Sequence, residues 1–292
     1  MGVKKIYVAI TDGLGNQLFC YALGYAVSKK KNCKLILDTS KLDSGKIKGR
    51  KIEISSFNLK YDDRIKYKYI FNPLYRKLKL DTLIRKLHMG FGTRQYREKK
   101  HMEYDSEVFD IRCNTYFEGY WQCFRYFDAY KNDLKEMFVP QRALSKSAED
   151  MILSMSQSNS VALHVRRGDY LDAKWNIPMH YYDQALERLR NELDCTIKVY
   201  IFSDDKEYAI NYFSKMQTDD IEFIAAEYES ENYSVDDIYL MSKCKNNIIA
   251  NSTYSWWAAY LNGNKEQVVI CPEYSVWSGE FYPENWIKIK VK

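Results

Sequence analysis

The chain has little of what several functions require. In 292 residues no run approaches the roughly 20 consecutive apolar residues that cross a bilayer. The opening Met1-Gly2-Val3-Lys4-Lys5-Ile6-Tyr7-Val8 leads straight into an apolar strand pattern, so neither a membrane span nor a signal peptide is expected. No Asp-x-Asp triplet occurs, and the acidic pairs Asp204-Asp205, Asp219-Asp220 and Asp236-Asp237 are adjacent, so on a strand their side chains would diverge. The four histidines, His88, His101, His164 and His180, show no ligand spacing. No metal is therefore expected. The seven cysteines are odd in number, scattered and free of any C-x-x-C pair, which argues against a disulfide framework or zinc site and for a reducing cytoplasm. With 5 Pro and 12 Gly there is little room for linkers, and no internal repeat is found.

What is present fits a soluble globular protein of two medium-sized domains, with 46% hydrophobic and 28% charged residues. The net charge of +5 is unevenly spread. Residues 46–101 hold 17 Lys/Arg against 5 Asp/Glu, a local +12, which leaves −7 for the remainder. Within this block Leu80, Leu83, Ile84 and Leu87 recur at helical spacing among Arg76, Lys77, Lys79, Arg85 and Lys86. Two readings carry equal weight: a helix lying on an anionic membrane, and a basic helix packed on its own domain. The block holds no recognisable nucleic-acid module, so a polyanion-binding protein is the weaker reading and no nucleic-acid partner is expected.

The first third opens with a strand over 5–10, a Gly-rich turn, a helix over about 16–30 and a strand over 34–37, a βαβ start. Beyond residue 155, apolar runs at 161–165, 198–202, 222–225, 247–250 and 267–271 alternate with helix-length segments, the pattern of a parallel sheet covered on both faces. The Tyr- and Lys-rich middle, 45–150, has weak periodicity and is expected to complete the first half with helices. The fold expected is α/β with two Rossmann-type halves, 1–150 and 151–292, facing a cleft that receives ligands from the carboxyl ends of the strands.

Four segments carry candidate chemistry. In Leu163-His164-Val165-Arg166-Arg167-Gly168-Asp169-Tyr170 an apolar strand runs out into two arginines, whose planar donors suit phosphate oxygens. An ion pair with Asp169 is the structural alternative. In Tyr200-Ile201-Phe202-Ser203-Asp204-Asp205 one carboxylate can accept from guanine or ribose while the other caps the next helix. Asn251-Ser252-Thr253-Tyr254-Ser255 places hydroxyls and backbone N–H groups at a helix start, which favours phosphate and is equally an ordinary cap. Asp12-Gly13-Leu14-Gly15-Asn16-Gln17-Leu18, with Asp38 closing the next strand, imitates a dinucleotide fingerprint. Leu18 stands where its third small residue belongs, which weakens an NAD-type oxidoreductase reading.

Taken together, GLGNQLFCYALGYA near the start, HVRRGDY at 164–170, IFSDD at 201–205 and IIANSTYSWWAAYLN at 248–262 resemble glycosyltransferase family 11, the α-1,2-fucosyltransferases. The resemblance spans nearly the whole chain in the family's motif order, with no match in the middle. It implies a GT-B-like fold, GDP-fucose held mainly by the second half, inversion at the anomeric carbon and no metal or other cofactor. It implies Arg166 on the β-phosphate with His164 beside it, Asp204 or Asp205 reading guanine, Thr253 and Ser255 on the diphosphate, and Gly15 and Asn16 approaching the donor. It also implies a galactose-terminated acceptor met by the first half, or a lipid-linked glycan should the segment 46–101 touch the inner face of the membrane. Fucosyl transfer in another linkage or to another acceptor is the nearest alternative. For the base, Asp172 and His164 are the two candidates, and neither is marked out.

Overall fold

A computed structural model of the chain describes residues 4–45, 47, 49–66, 92–193, 195–273 and 279–291. The apolar-stripe helix read at 76–87 lies outside them. By packing the chain divides into two units, Met1–Met137 with Gly279–Phe281 and Phe138–Ser278 with Tyr282–Lys292. The change of sequence pattern near residue 150 falls 13 residues after the packing division at Met137.

The first unit is built on a parallel five-stranded sheet in the order β3-β2-β1-β5-β4. Its strands are β1 (Lys5–Ala9), β2 (Lys34–Asp38), β3 (Asp63–Ile65), β4 (Arg94–Arg97) and β5 (Thr115–Glu118). Among the described residues the middle segment thus contributes three strands besides the helices expected of it, Lys131–Met137 and the start of Lys146–Ser156. β3 and β4 are short, charged edge strands, which carry little apolar alternation to read. The helix Leu14–Lys31 is buried nearly all round, and a Cβ on Gly24 would stand 2.9 Å from both Leu35 and Val8. Close helix-to-strand packing is therefore secured at Gly24, with Leu18 wholly buried at the position where a dinucleotide fingerprint has its third glycine. Cys33 and Cys113 form a disulfide across 80 residues. It is a single bridge, joining the turn after that helix to the approach of β5, and residue spacing gave no sign of it.

The second unit carries a parallel six-stranded sheet in the order β11-β10-β9-β6-β7-β8. Its strands are β6 (Ser160–Val165), β7 (Ile197–Ser203), β8 (Ile221–Ala225), β9 (Asn246–Ile248), β10 (Val269–Glu273) and β11 (Ile287–Lys290). Read from β8, the chain order is 3-2-1-4-5-6, the doubly wound arrangement. Alternation splits each strand between two cores. Val161, Leu163, Val199 and Ile201 pack with Tyr181, Ala185, Leu189 and Phe213 on one face, while Ala162, Tyr200 and Phe202 pack with Met155, Leu240 and Ala258 on the other. Helices over both faces explain why these strands are continuous apolar runs.

Candidate active site

In a doubly wound sheet, chain direction reverses where one crossover leaves to the left and the next to the right, so the loops there diverge and leave a crevice. In the second unit that point lies between β6 and β9. The segments leaving these two strands are His164-to-Tyr170 and Asn251-to-Ser255, and β7, next to β6, ends at Asp204-Asp205. Three of the four motifs read from sequence therefore meet at one edge of one sheet.

Arg166 and Arg167 are both engaged there. Arg166 Nη2 donates to Asp169 Oδ1 at 2.5 Å, its Nη1 lies 2.9 Å from Asp204 Oδ2, and its guanidinium sits 5.3 Å from the Tyr170 ring centre. Arg167 Nε donates to Asp205 Oδ2 at 2.9 Å and its guanidinium lies 3.4 Å from the centre of the Tyr208 ring. The Arg167 backbone N–H donates to Asp204 Oδ1 at 2.8 Å. The ion pair read with Asp169 thus holds for Arg166, whereas Arg167 pairs with Asp205 instead. Glycine at 168 makes the arrangement fit, since a Cβ there would stand 2.6 Å from Asp204 Oδ2. Asp205 also caps the helix Lys206–Phe213 by accepting from the Tyr208 N–H. Of the acidic pair one serves a helix end and both serve arginines.

Three buried polar atoms at the same edge have no hydrogen-bond partner: His164 Nδ1, Asn251 Oδ1 and Ser255 Oγ. An unmet buried polar group costs about 1–3 kcal/mol, so three together at the switch point mark a candidate ligand site. His164 is 4% exposed, with its ring 5.5 Å from that of Tyr254. Burial, and secondarily the Arg166 charge, push its pKa down to about 3. That holds the imidazole neutral in the folded chain. Ser252 is the cap of the helix Thr253–Leu261, its hydroxyl accepting from the Tyr254 N–H at 3.3 Å. Thr253, the first helical residue, is half-buried and free of that duty. Asp172 ends the short helix Gly168–Asp172 and is exposed.

In the first unit the reversal lies between β1 and β5. A pocket of about 130 Å³ opens there, lined by Thr11, Asp38, Lys41, Tyr116, Glu118 and Tyr120 among others. The loops on either side hold residues in the left-handed region, Asp12 with φ 63° and Trp121 with φ 60°. For a tryptophan that conformation costs on the order of 1–3 kcal/mol, as strained backbone near functional sites often does. Asp12 accepts from the Gly13 N–H, the Asn16 amide and Arg50 Nε. Asn16 Oδ1 accepts from Gln122 Nε2 at 2.6 Å, and Gly15 is buried inside the helix. Asp38, the acid of the imitated fingerprint, is occupied by Ser40 and by the Tyr116 hydroxyl at 2.9 Å. Gln17 was passed over in the sequence. Its amide donates to the carbonyls of Asp12 and Lys51, and its Oε1 accepts from the N–H groups of Glu53 and Ile54. Only the tertiary arrangement of segment 51–54 reveals that role. Among the described residues no group of three or more His, Cys, Asp or Glu could hold a metal ion, and no helix is long and apolar enough to cross a membrane.

Comparison with known proteins agrees with this architecture. The family model for Glycosyl transferase family 11 matches residues 5–290. The chain is 30% identical to the O-antigen biosynthesis glycosyltransferase WbnK of Escherichia coli, over 91% of this chain and 93% of that protein. It is 29% identical to an alpha-1,2-colitosyltransferase of Escherichia coli, over 98% and 99% respectively. Among solved structures it is similar to the fucosyltransferase NodZ from Bradyrhizobium, with TM-score 0.51 and 14% identity over 88% of this chain and 93% of that one. A mutant FUT1 of Arabidopsis thaliana in complex with GDP gives TM-score 0.52 and 12% identity over 92% and 70%. At such identities these structures speak for a shared GT-B-like α/β fold.

Proposed function

The chain belongs to glycosyl transferase family 11, and from that membership we propose that it moves fucose from GDP-fucose to the 2-hydroxyl of a terminal galactose, with inversion and without a metal. The observation that carries this reading is the meeting of Arg166, Arg167 and three unmet buried polar atoms at the switch point of the second unit.

In the reaction the acceptor hydroxyl oxygen forms a bond to the sugar's anomeric carbon from the face opposite GDP. The bond from that carbon to the β-phosphate oxygen breaks, and its electron pair leaves with GDP. Negative charge grows on the diphosphate, and Arg166 is the group that meets it. To do so Arg166 exchanges one of its carboxylate partners, Asp169 or Asp204, for phosphate oxygens. Asp204, once released, is free to accept from the guanine edge. The Thr253 hydroxyl and the N–H groups opening the helix Thr253–Leu261 add donors for phosphate, and Ser255 Oγ and His164 Nδ1 gain the partner they lack. The hydroxyl proton passes to Asp172, to His164 or to water.

A second donor has specific support, because the relative that matches 98% of this chain is an alpha-1,2-colitosyltransferase. That relative's α-1,2 linkage supports an α-1,2 product for either sugar. The test is incubation of the purified chain with GDP-fucose and EDTA, with and without lactose, followed by mass spectrometry, and a parallel run with GDP-colitose. Fucosylated product formed only with acceptor supports the reading. Product from GDP-colitose alone moves it to the second donor, and GDP binding without product in either run rejects the acceptor. The segment 46–101 is proposed to bring the enzyme to anionic membrane carrying a lipid-linked acceptor, and absence of flotation with anionic liposomes would reject that part.

A further inference from the structure

Trp175 is 52% exposed, the most exposed tryptophan among the described residues. Single exposed apolar residues are common and usually mean nothing. Here, however, the backbone that carries the ring is fixed from both sides. The Trp175 N–H donates to the Tyr170 carbonyl at 2.9 Å, and the Trp175 carbonyl accepts from Asn251 Nδ2 at 2.8 Å. Lys174, just before it, is held in the left-handed region with φ 56°. The Tyr170 hydroxyl donates to the Asn251 carbonyl at 3.3 Å, and the Tyr170 ring meets Trp175 edge-on at 5.8 Å. Leu171, 42% exposed, extends the apolar surface. Thus a loop fixed from both sides displays a large flat ring to solvent, and it is anchored on Asn251 and on the Tyr170 whose ring lies beside Arg166.

A nucleotide-sugar donor brings two phosphates and is drawn to arginines. An uncharged acceptor sugar has no such handle, and its affinity must come from hydroxyl hydrogen bonds and from burial of the C–H face of its ring against an aromatic plane. We propose that Trp175, which lies in the second unit and not in the first half expected to meet the acceptor, is the platform on which the acceptor's pyranose ring stacks, and so a specificity-determining residue of this enzyme. The inference rests on the transferase reading given above. A tryptophan suits the task because its two-ring plane covers a pyranose at small cost in conformational entropy.

The test compares the full chain with Trp175→Ala and Trp175→Phe, measuring KM for lactose at saturating GDP-fucose, KM for GDP-fucose at saturating lactose, and GDP affinity by calorimetry. In Trp175→Ala the acceptor KM is expected to rise about tenfold, a typical worth of an aromatic contact, with KM for GDP-fucose and GDP affinity unchanged. Trp175→Phe is expected to restore most of the loss. An unchanged acceptor KM in Trp175→Ala, or a rise confined to the donor KM, overturns the proposal. Since more than half of the side chain is solvent-exposed, truncation leaves the core intact and a folding defect does not confuse the result. If the wild type transfers nothing, the transferase reading fails separately. The platform is then read by saturation-transfer NMR with lactose, where equal signals from the wild type and Trp175→Ala overturn it and a signal lost in the variant upholds it.

Discussion

At the scale of single residues, Arg166 and His164 do different work although only Val165 separates them. Arg166 lies between two carboxylates, so in the bound state it can trade a carboxylate for phosphate while its charge stays compensated. Arg166→Ala is expected to lower turnover about 10²- to 10³-fold, the usual worth of one group that meets developing charge, while circular dichroism shows the chain still folded. Retained turnover would remove the role. His164 affects stability as well as the site. Its folded-state pKa lies near 3 against 6.5 when free, because burial excludes the charged form. Stability from this group is therefore complete above pH 6.5 and drains away as pH falls toward 3, at roughly 1.4 kcal/mol per pH unit. Urea midpoints taken at pH 7 and pH 5 are expected to fall more in the wild type than in His164→Gln, whose side chain does not titrate. Equal falls would show that the imidazole is not buried as the fold requires.

At the scale of elements, the strand-to-helix turns position the chemistry, and hidden polar side chains hold those turns. Gln17 is the clearest case. Wholly buried, it makes four hydrogen bonds, one to the Asp12 carbonyl and three that fasten the start of the helix Leu14–Lys31 to segment 51–54. Gln17→Leu keeps the volume and leaves two carbonyls and two N–H groups without their partner. A loss of about 3 kcal/mol is expected, read as a lower urea midpoint. A variant as stable as the wild type would show that water replaces the amide. Five of the six strands of the second unit were legible because both faces are covered, so each reads as an apolar run, while the edge strand β11 alternates Ile with Lys and was not. β3, β4 and β5 were not, being three or four residues long and in part charged edges.

At the scale of the whole molecule, binding of nucleotide to the folded state alone must raise stability by mass action. GDP at 100 times its dissociation constant is expected to add about 2.7 kcal/mol, seen as an upward shift of the thermal midpoint that EDTA leaves in place. No shift with GDP would reject a guanosine site, and a shift abolished by EDTA would reject metal-independent binding. The sequence by itself determined the parallel α/β class, five of the second sheet's six strands and the motifs that end in arginine, carboxylate and hydroxyl, because each of these is a local pattern of apolar period and residue type. Tertiary structure alone decided what those residues touch. It paired both arginines with carboxylates, gave Asp205 to a helix cap, occupied Asp38 with Ser40 and Tyr116, brought Cys33 to Cys113, and left His164, Asn251 and Ser255 each with an unmet atom at one sheet edge. A partner 30 or 80 residues away is set by strand order and crossover, and no local pattern of one sequence carries that information.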